Sequence, residues 1–396
     1  MSGIEIEGGG GRVIDSLSAA SALADGDVLE ILQGGSYKKA NISLLNPSVF
    51  NVQFYGATGD GSTDDTAAIQ AAIDAAATAK GVCFLPVPSV AYMISNLKLS
   101  AYMKFQGAHM GQTVLKRIIG STGTAIRDKT SGEGNPGGAT RLWVQDFWLD
   151  GNGTAGDGLD IGNQAAQLNG PASVSNVYVA NFPSGTGITI NGNAVSCSYL
   201  WSIANSVGIK TLGGACSYFG LWLESNTSYD LHVTSFDNFY HVQVEPVAKS
   251  ADCIFVDTGS VNFFGVHFGL QGNVGDLLHL ADGRSELTVH GLKINTNGYT
   301  FTNAIKHAWG GTGSSLEWVP QYTYQTGLAT TQFNAGTGAY VQQDTALVKI
   351  GGTQVVGARV VDARADDVAN SGDATTDGLI DALRDAMIAH GLIAAA

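Results

Sequence analysis

Short apolar strands recur through the middle of the sequence at a spacing that few folds accommodate. One series of strands begins at Leu159, Ile188, Ile209, Leu231, Ile254, Leu278 and Ile305. A second series lies between them and is anchored at Leu149, Val179, Ile203, Leu223, Val244, Phe268 and Ile294. The steps are 29, 21, 22, 23, 24 and 27 residues in the first series and 30, 24, 20, 21, 24 and 26 in the second. Two series with matched periods predict a solenoid in which each coil has roughly 20–25 residues and at least two strands.

Within these strands apolar and polar residues alternate, so one set of side chains faces a continuous core and the other faces solvent. A sandwich of short strands is the alternative, but it gives no reason for two strand series to keep a fixed offset through consecutive repeats. The pattern therefore predicts an all-β fold of the parallel β-helix type.

Composition agrees with a solenoid and excludes one class of function. Glycine occupies 53 of 396 positions and only 14% of residues are charged, as expected for many tight turns and apolar strands. The net charge of −14 argues against a protein that tracks nucleic-acid phosphates. The four cysteines have no metal-binding spacing and are expected to be reduced core residues: Cys83, Cys197, Cys216 and Cys253. No cofactor and no metal are predicted.

The sequence shows no sign of export or membrane insertion. The opening residues MSGIEIEGGGG lack the apolar stretch of a secretory signal. No apolar run approaches the roughly 20 residues of a membrane-spanning helix. We expect a protein made in a cytoplasm that reaches the outside by lysis or within a particle.

A segment at residues 50–117 has the pattern strand, turn, helix, strand. Asp60 and Gly61 predict a turn, and Ser62 or Thr63 is placed to cap a helix over residues 64–78. The neighbouring acidic residues Asp64 and Asp65 suit the positive end of that helix. Turn and cap roles for these acidic residues are favoured over a metal or catalytic role.

This segment resembles the entry region of the pectate-lyase-like superfamily. The resemblance implies a single-stranded right-handed parallel β-helix whose open end is covered by the N-terminal helix. It departs from the family pattern at Pro86-Val87-Pro88, where a Pro-x-Gly turn is usual. Signature strings of polygalacturonases and classical pectate lyases are missing from the sequence, so the resemblance assigns no catalytic residue.

Both ends of the chain resemble phage tail proteins. Residues 1–46 contain ALADGDVLEILQGGSYKKANISLL, a pattern of short N-terminal attachment modules in tailspikes and tail fibres. Residues 358–396 end in an amphipathic stripe that favours a short helix bundling three chains. Between them we predict the β-helix over residues 47–318 and a β-rich region over 319–357. The resemblance implies a virion tail location, phage tail or baseplate proteins as partners of the N-terminus, and a homotrimer.

The outward positions of the second series form a column suited to an elongated sugar chain. In order, this predicted column is Trp148, Tyr178, Ser202, Trp222, Gln243, His267 and Lys293. Aromatic faces with polar rims bind sugars, so Trp148, Tyr178, Trp222, Gln243 and His267 are the predicted substrate-binding residues. Glu224 and Glu245 form an adjacent acidic pair beside this column. Because glycosidic cleavage uses two carboxyl groups, they are the candidate catalytic residues.

Three other interpretations stay open at this level. Carboxylates beside the column could form an ordinary solvated face. Lys210 and His232, on neighbouring coils of the first series, could supply the cation and base of a polysaccharide lyase. An acidic cluster of Asp146, Asp150, Asp157 and Asp160 could bind calcium, although its spacing differs from that of an EF-hand.

These observations favour a phage tailspike or tail-fibre subunit that recognises host surface polysaccharide and depolymerises it, by hydrolysis rather than elimination. The alternative is a non-enzymatic receptor-binding or structural tail protein on the same scaffold. A free microbial polysaccharide lyase or hydrolase agrees less well with the two chain ends. Nucleic acid and membranes are not expected as partners.

Overall fold

A computed structural model describes residues 28–33, 36–41, 48–130, 133, 141–162, 168–281 and 286–307, together with strands at 315–319, 333–335, 341–343, 348–350 and 353–356. The C-terminal helix predicted for residues 358–396 and most of the module predicted for residues 1–46 lie outside the described residues. The predicted division of the chain into domains stays a prediction.

Near the start of the solenoid lie helix α1 (Thr66–Ala79) and a 3-10 helix (Val52–Tyr55). The early strands are β1 (Val28–Gln33), β2 (Ser36–Asn41), β3 (Val49–Asn51), β4 (Asp60–Asp64), β5 (Val82–Leu85), β6 (Ala91–Ile94), β7 (Leu97–Leu99), β8 (Met103–Gly107), β9 (Val114–Arg117) and β10 (Ile126–Asp128). The central strands are β11 (Leu142–Asp150), β12 (Leu159–Ile161), β13 (Leu168–Ala180), β14 (Thr186–Ile203), β15 (Val207–Glu224), β16 (Leu231–Val233), β17 (Phe236–Glu245), β18 (Ile254–Val256), β19 (Ser260–Gly269), β20 (Leu278–Leu280) and β21 (Glu286–Asn295). The last are β22 (Ile305–His307), β23 (Ser315–Val319), β24 (Phe333–Ala335), β25 (Val341–Gln343), β26 (Val348–Ile350) and β27 (Thr353–Val356).

Strands from β3 to β25 wind into a parallel β-helix, which confirms the predicted fold class. Each coil contributes to three parallel sheets. Sheet A contains β7, β10, β12, the starts of β14 and β15, and then β16, β18, β20, β22 and β24. Sheet B follows sheet A in each coil. Its strands are β3, β5 and β8, then the parts of β11, β13, β14, β15, β17, β19 and β21 that precede sheet C, and finally β23 and β25. Sheet C contains β4, β6, β9 and the final parts of the long strands from β11 to β21. The hairpins β1–β2 and β26–β27 are antiparallel and stand apart from these sheets.

The first predicted series is the inward column of sheet A. Leu159, Ile188, Ile209, Leu231, Ile254, Leu278 and Ile305 pair in register from coil to coil. All seven are buried, as the alternation predicted. Removing such a side chain from water contributes about 1.5–3 kcal/mol for each residue.

Sheet B was missed because a single bend residue, and no loop, separates it from sheet C. Its inward column is Val174, Cys197, Tyr218, Phe239, Phe263 and Val289. Between sheets B and C the chain bends at a single residue of positive φ, for example Asn176 at 52°, Gly220 at 65° and Gly265 at 83°. One residue in the left-handed conformation turns the strand without a loop, so the sequence around it looks like one long strand.

Helix α1 covers the N-terminal end of the core, as predicted, with Ile69, Ala72, Ile73 and Ala76 buried on one side. It begins at Thr66, later than the expected caps Ser62 and Thr63. Asp60 accepts hydrogen bonds from the backbone N–H groups of both of those residues, at 2.8 and 2.7 Å, and so holds them in the preceding strand β4.

Candidate functional site

The outward column of sheet C carries most of the predicted site residues. The structure aligns Trp148, Tyr178, Trp201, Trp222, Gln243, His267 and Lys293 in register on consecutive coils. Adjacent members lie about 4.8 Å apart at the backbone, which is the spacing of neighbouring strands. We call these seven residues the sheet C column.

The column differs from the predicted one at a single position, where Trp201 replaces Ser202. Ser202 points inward, pairs with Val179 and Leu223 and is fully buried. Its hydroxyl donates to the carbonyl of Gly208 at 2.7 Å, so a polar side chain is satisfied at a core position. The prediction took the apolar Ile203 as the inward residue, and this shifted the predicted register of this strand by one residue.

A signal in the sequence could have found Trp201. Asn205 and Asn226 are buried in the turns after sheet C, 21 residues apart, and the backbone N–H of Asn205 donates to Oδ1 of Asn226. Trp201 and Trp222 are also 21 residues apart. Aligning the coils on these asparagines, rather than on apolar residues, places both tryptophans at the same position.

Four aromatic rings form the N-terminal part of the column. Trp148 and Tyr178 stack with their centroids 5.1 Å apart. Tyr178 meets Trp201 edge to face at 6.0 Å, and Trp201 is tilted by 36° against Trp222 at 5.6 Å. Trp201 is 36% exposed, whereas the other three rings are half-buried. The edge-to-face and tilted contacts leave part of the Trp201 face open to a ligand.

Two carboxylates flank the aromatic rings. Glu224 and Glu245 pair in register on adjacent coils, as the sequence predicted. Glu224 accepts a hydrogen bond from Nε1 of Trp222 at 3.2 Å. Glu245 accepts hydrogen bonds from Nε2 of Gln243 at 3.1 Å and from Nε2 of Gln271 at 2.7 Å. These contacts tie the acidic pair to the column, and both carboxylates act as acceptors.

Burial and neighbouring charges shift the pKa values of Tyr178 and His267 in the column. Burial, together with the negative charges of Glu224 and Asp150, raises the pKa of Tyr178, so its hydroxyl stays protonated and can donate to an acceptor. Burial and the nearby Lys293 lower the pKa of His267, against an opposing effect of Glu245. His267 is therefore neutral at neutral pH.

Sheet A presents a second set of ionisable side chains on its outer side. Lys210, His232, Phe255, His279 and Lys306 align in register on consecutive coils. Nδ1 of His279 lies 2.5 Å from Oδ2 of Asp252, and Nζ of Lys306 lies 3.1 Å from Oδ2 of Asp276. The lyase hypothesis placed the base at His232 and the cation at Lys210, and it missed the His279–Asp252 pair.

His232 has the electrostatic surroundings of a neutral imidazole. Burial and Lys210 lower its pKa, while Asp257, with Oδ2 at 3.9 Å from Nε2, acts in the opposite direction. Its Nε2 is buried and makes no hydrogen bond within the described part of the chain.

The acidic cluster considered for calcium is not assembled into one site. Asp150 belongs to sheet C, where its carboxylate lies 3.6 Å from Nζ of Lys116, whereas Asp160 belongs to sheet A. Asp146 and Asp157 accept hydrogen bonds from Asn176 and from the backbone of Thr186. Among the residues that the structure describes, the group of potential metal ligands that lies close together is Asp252, Asp276 and His279.

The sequence matches to known proteins lie in the N-terminal coils. Residues 49–140 match the family model described as rhamnogalacturonase A/epimerase, pectate lyase-like. Mannuronan C5-epimerase AlgE3 of Azotobacter vinelandii is 39% identical over 112 residues, which are 26% of this chain and 6% of that protein. Alginate lyase 7 of the same organism is 36% identical over 118 residues, or 26% of this chain and 13% of that protein. The chain thus matches a small part of the length of these relatives.

Solved structures extend the likeness over most of the chain. The enzymatically active domain of tailspike protein 2 from bacteriophage CBA120 superposes with a TM-score of 0.54 at 15% identity, covering 82% of this chain and 49% of that one. This likeness is one of fold, the parallel β-helix. The family match of this β-helix ends at residue 140, before the first member of the sheet C column, so it assigns no role to the column. No helix in the described residues is long and apolar enough to cross a membrane.

Proposed function

We propose that this β-helix is a phage tail protein that binds host surface polysaccharide along the sheet C column. The observation that carries the proposal is the unbroken aromatic run from Trp148 through Tyr178 and Trp201 to Trp222. Sugar rings bind to aromatic faces, and a column with one residue per coil suits an extended chain of sugars.

Polar members of the column supply the contacts that a sugar chain needs beyond stacking. Gln243, His267 and Lys293 continue the column past the aromatic rings. Glu224 and Glu245 offer carboxylate acceptors for hydroxyl groups beside it. This gradient from aromatic to polar side chains gives the site a direction along the helix axis.

Cleavage of the bound chain by Glu224 and Glu245 is the catalytic part of the proposal. One carboxyl group would protonate the glycosidic oxygen, while the other would act as nucleophile or activate a water molecule. Glu224 and Glu245 lie on adjacent strands, and a catalytic pair needs its carboxyl groups about 5 Å apart for retention or about 6.5–9.5 Å apart for inversion. Neither glutamate forms an ion pair within the described residues.

A virion tail location accords with the superposition on tailspike protein 2 of bacteriophage CBA120, which is a likeness of fold. In this proposal residues 1–46 attach the chain to tail or baseplate proteins, and residues 358–396 contribute to a homotrimer. The β-helix would present its sheet C column to the host surface.

Binding is tested with Trp201→Ala, since Trp201 is the most exposed ring of the column. Envelope polysaccharides from candidate hosts are titrated against the wild type, Trp201→Ala and the control Tyr299→Ala, which removes an exposed ring outside the column. Loss of one stacking residue should weaken binding about 5- to 30-fold, equivalent to about 1–2 kcal/mol. Equal affinity of all three proteins would remove the column from the proposal.

Cleavage is tested with Glu224→Gln and Glu245→Gln. Each variant should lower the release of new reducing ends by orders of magnitude while polysaccharide affinity is nearly retained. Full activity in both variants would exclude the pair as the catalytic groups. A wild type that binds polysaccharide without releasing reducing ends would leave the non-enzymatic alternative, a receptor-binding tail protein.

A second candidate function is elimination at sheet A. Asp252 holds the ring of His279 by Nδ1, as a carboxylate orients a general base, and Lys306 on the next coil supplies a cation. Mannuronan C5-epimerases and an alginate lyase are among the sequence relatives of this chain. A uronate polysaccharide would then give the ultraviolet absorbance of an unsaturated product. That signal should disappear in His279→Gln and persist in Glu224→Gln.

A further inference from the structure

Three polar side chains lie together inside the β-helix, in the turns between sheet C and sheet A. Asn226 and Asp230 are fully buried, and the side chain of Lys249 is 3% exposed. Asn226 and Asp230 belong to one coil, whereas Lys249 lies in the next coil, 23 positions after Asn226. An amine, a carboxyl group and a carboxamide are thus enclosed together, although such groups are rarely buried.

The Asp230 carboxylate bridges the other two side chains. Its Oδ2 lies 2.5 Å from Nζ of Lys249, and its Oδ1 accepts a hydrogen bond from Nδ2 of Asn226 at 3.1 Å. Nζ of Lys249 also donates to the backbone carbonyl of Asn226 at 3.1 Å, so the amine lies directly beside that residue. One carboxyl group therefore contacts both a nucleophile and the nitrogen of an amide. This is the position of a group that transfers a proton between the two.

The side-chain amide of Asn226 is held and polarised by the preceding coil. Its Oδ1 accepts a hydrogen bond from the backbone N–H of Asn205 at 3.1 Å, and its Nδ2 donates to the carbonyl of Ser202 at 3.1 Å. A fixed backbone N–H stabilises the negative charge that develops on a carbonyl oxygen when a nucleophile attacks its carbon. The amide thus has a donor on its oxygen and a proton carrier on its nitrogen.

Burial favours the uncharged form of this cluster. It raises the pKa of Asp230 above its ordinary value, against the opposing charge of Lys249. A carboxyl group that holds a proton readily can take one from the neighbouring ammonium and leave an uncharged amine, which is the nucleophilic form. The buried position also keeps away water that would otherwise compete with the amine.

We propose that Lys249 and Asn226 join through a self-formed amide bond between adjacent coils. Nζ of Lys249 attacks Cγ of Asn226, the Nζ–Cγ bond forms and the Cγ–Nδ2 bond breaks. Asp230 takes protons from Nζ and passes one to Nδ2, which leaves as ammonia. One lysine ammonium and one carboxamide give one secondary amide and one ammonium ion, so atoms and charge balance without an oxidant or a co-reactant.

The contacts favour Asn226 over Asp230 as the group that is attacked. Condensation on Asp230 would need a second acid to remove its hydroxyl, and within the described residues the hydrogen bonds of its carboxylate are to Asn226 and Lys249. The ion pair is the state before reaction. Because it keeps the amine charged for most of the time, the bond should form slowly after folding, and chains that have not reacted keep the ion pair.

Tryptic digestion reads the new bond directly. Trypsin cuts the unreacted chain after Lys249 and gives peptides 211–249 and 250–284. An amide on Nζ blocks this cut, so reacted chains should give one peptide 211–284 that is about 17 Da lighter than its sequence, through the loss of one ammonia. The share of this peptide should increase as the folded protein is incubated, and the peptide should not form in protein kept unfolded in urea.

Three variants with the circular dichroism spectrum of the wild type complete the test. Lys249→Arg keeps a cation beside Asp230 but has no amine, so it should keep its full mass. Asp230→Ala removes the proton carrier and should slow the reaction about 100-fold or more. The matched control Lys293→Arg, on an exposed side chain of the sheet C column, should react like the wild type.

A wild type that gives only peptides 211–249 and 250–284 after prolonged incubation would overturn the inference. A loss of about 18 Da in place of 17 would also overturn it, because water would then have left from Asp230. An unchanged rate in Asp230→Ala would remove the role of that carboxyl group. The measurement involves no polysaccharide, so its outcome is independent of the proposed function.

Discussion

Replacing Lys249 by methionine should destabilise the β-helix by about 3–5 kcal/mol at neutral pH. Nζ of Lys249 lies 2.5 Å from Oδ2 of Asp230, and the two side chains are 3% and 0% exposed. Lys249 also donates to the carbonyl of Asn226 at 3.1 Å. The Lys249 ammonium thus links the turn after sheet C in its own coil to the corresponding turn of the preceding coil. Methionine keeps the apolar stem but leaves a buried carboxylate without its cation.

The loss in Lys249→Met should depend on pH in a defined direction. Burial raises the pKa of Asp230 above its ordinary value, and the charge of Lys249 acts in the opposite direction. Without Lys249 the pKa of Asp230 in the folded state rises further, so the folded variant binds a proton that the unfolded chain releases. The stabilisation that comes from this bound proton is fully present below the pKa of Asp230 in the unfolded chain. It is lost as the pH rises through the pKa of Asp230 in the folded state. The destabilisation should therefore be largest at neutral pH and shrink on acidification.

Urea unfolding of the wild type, Lys249→Met and the double variant Asp230→Asn/Lys249→Met measures both effects. The double variant should recover at least about half of the loss, since no buried charge remains and Asn at position 230 can still accept from Asn226. Lys293→Met, on an exposed side chain, is the control and should change the free energy of unfolding by less than about 0.5 kcal/mol. A cost below about 1 kcal/mol for Lys249→Met, or a deficit that does not change with pH, would refute the reasoning.

Three further predictions follow from burial and from the sequence. Ile209→Asp should prevent stable folding because it places an unpaired charge in the core beneath sheet A. The control Lys210→Asp, on the outer side of the same sheet, should fold normally. A normal melting curve for Ile209→Asp would contradict the inward assignment of Ile209. Burial raises the pKa of Cys216 to about 11 and also raises that of Cys83, so Ellman's reagent should react with the thiols after denaturation and hardly at all before it. Deleting residues 372–396 should weaken trimer formation and leave the circular dichroism of the β-helix unchanged; light scattering that shows an intact trimer would exclude the bundle role.

The sequence predicted sheet A and the capping helix because their signals are local. Inward residues of sheet A are large aliphatic side chains bounded by glycine or aspartate turns, as at Leu231 and Ile254. Helix α1 is an alanine-rich stretch with Ile69 and Ile73 four residues apart. In each case the residue type, the spacing and the turn residues all indicate the same structure.

Two features were beyond this kind of pattern. A single residue of positive φ separates sheets B and C, and the types at that bend include Asp146, Asn176, Tyr199, Gly220 and His241, which share no chemical property. The inward position of Ser202 depends on hydrogen bonds to the Gly208 carbonyl and from Asn205, which are contacts across a turn. Neither the bend nor the satisfied core serine can be recognised from apolar periodicity.

The shift at Ser202 matters for function because a one-residue change of register exchanges the core and the surface. If Ile203 were the inward residue, Trp201 would also point inward and the aromatic run would be broken between Tyr178 and Trp222. In the structure a small serine is held inside by the turn, and the large indole of Trp201 is left outside between two other rings. A hydroxyl with a buried partner costs little at a core position, whereas burying an indole there would require a cavity of its size. The polar group in the core is thus what keeps the aromatic column continuous on the surface.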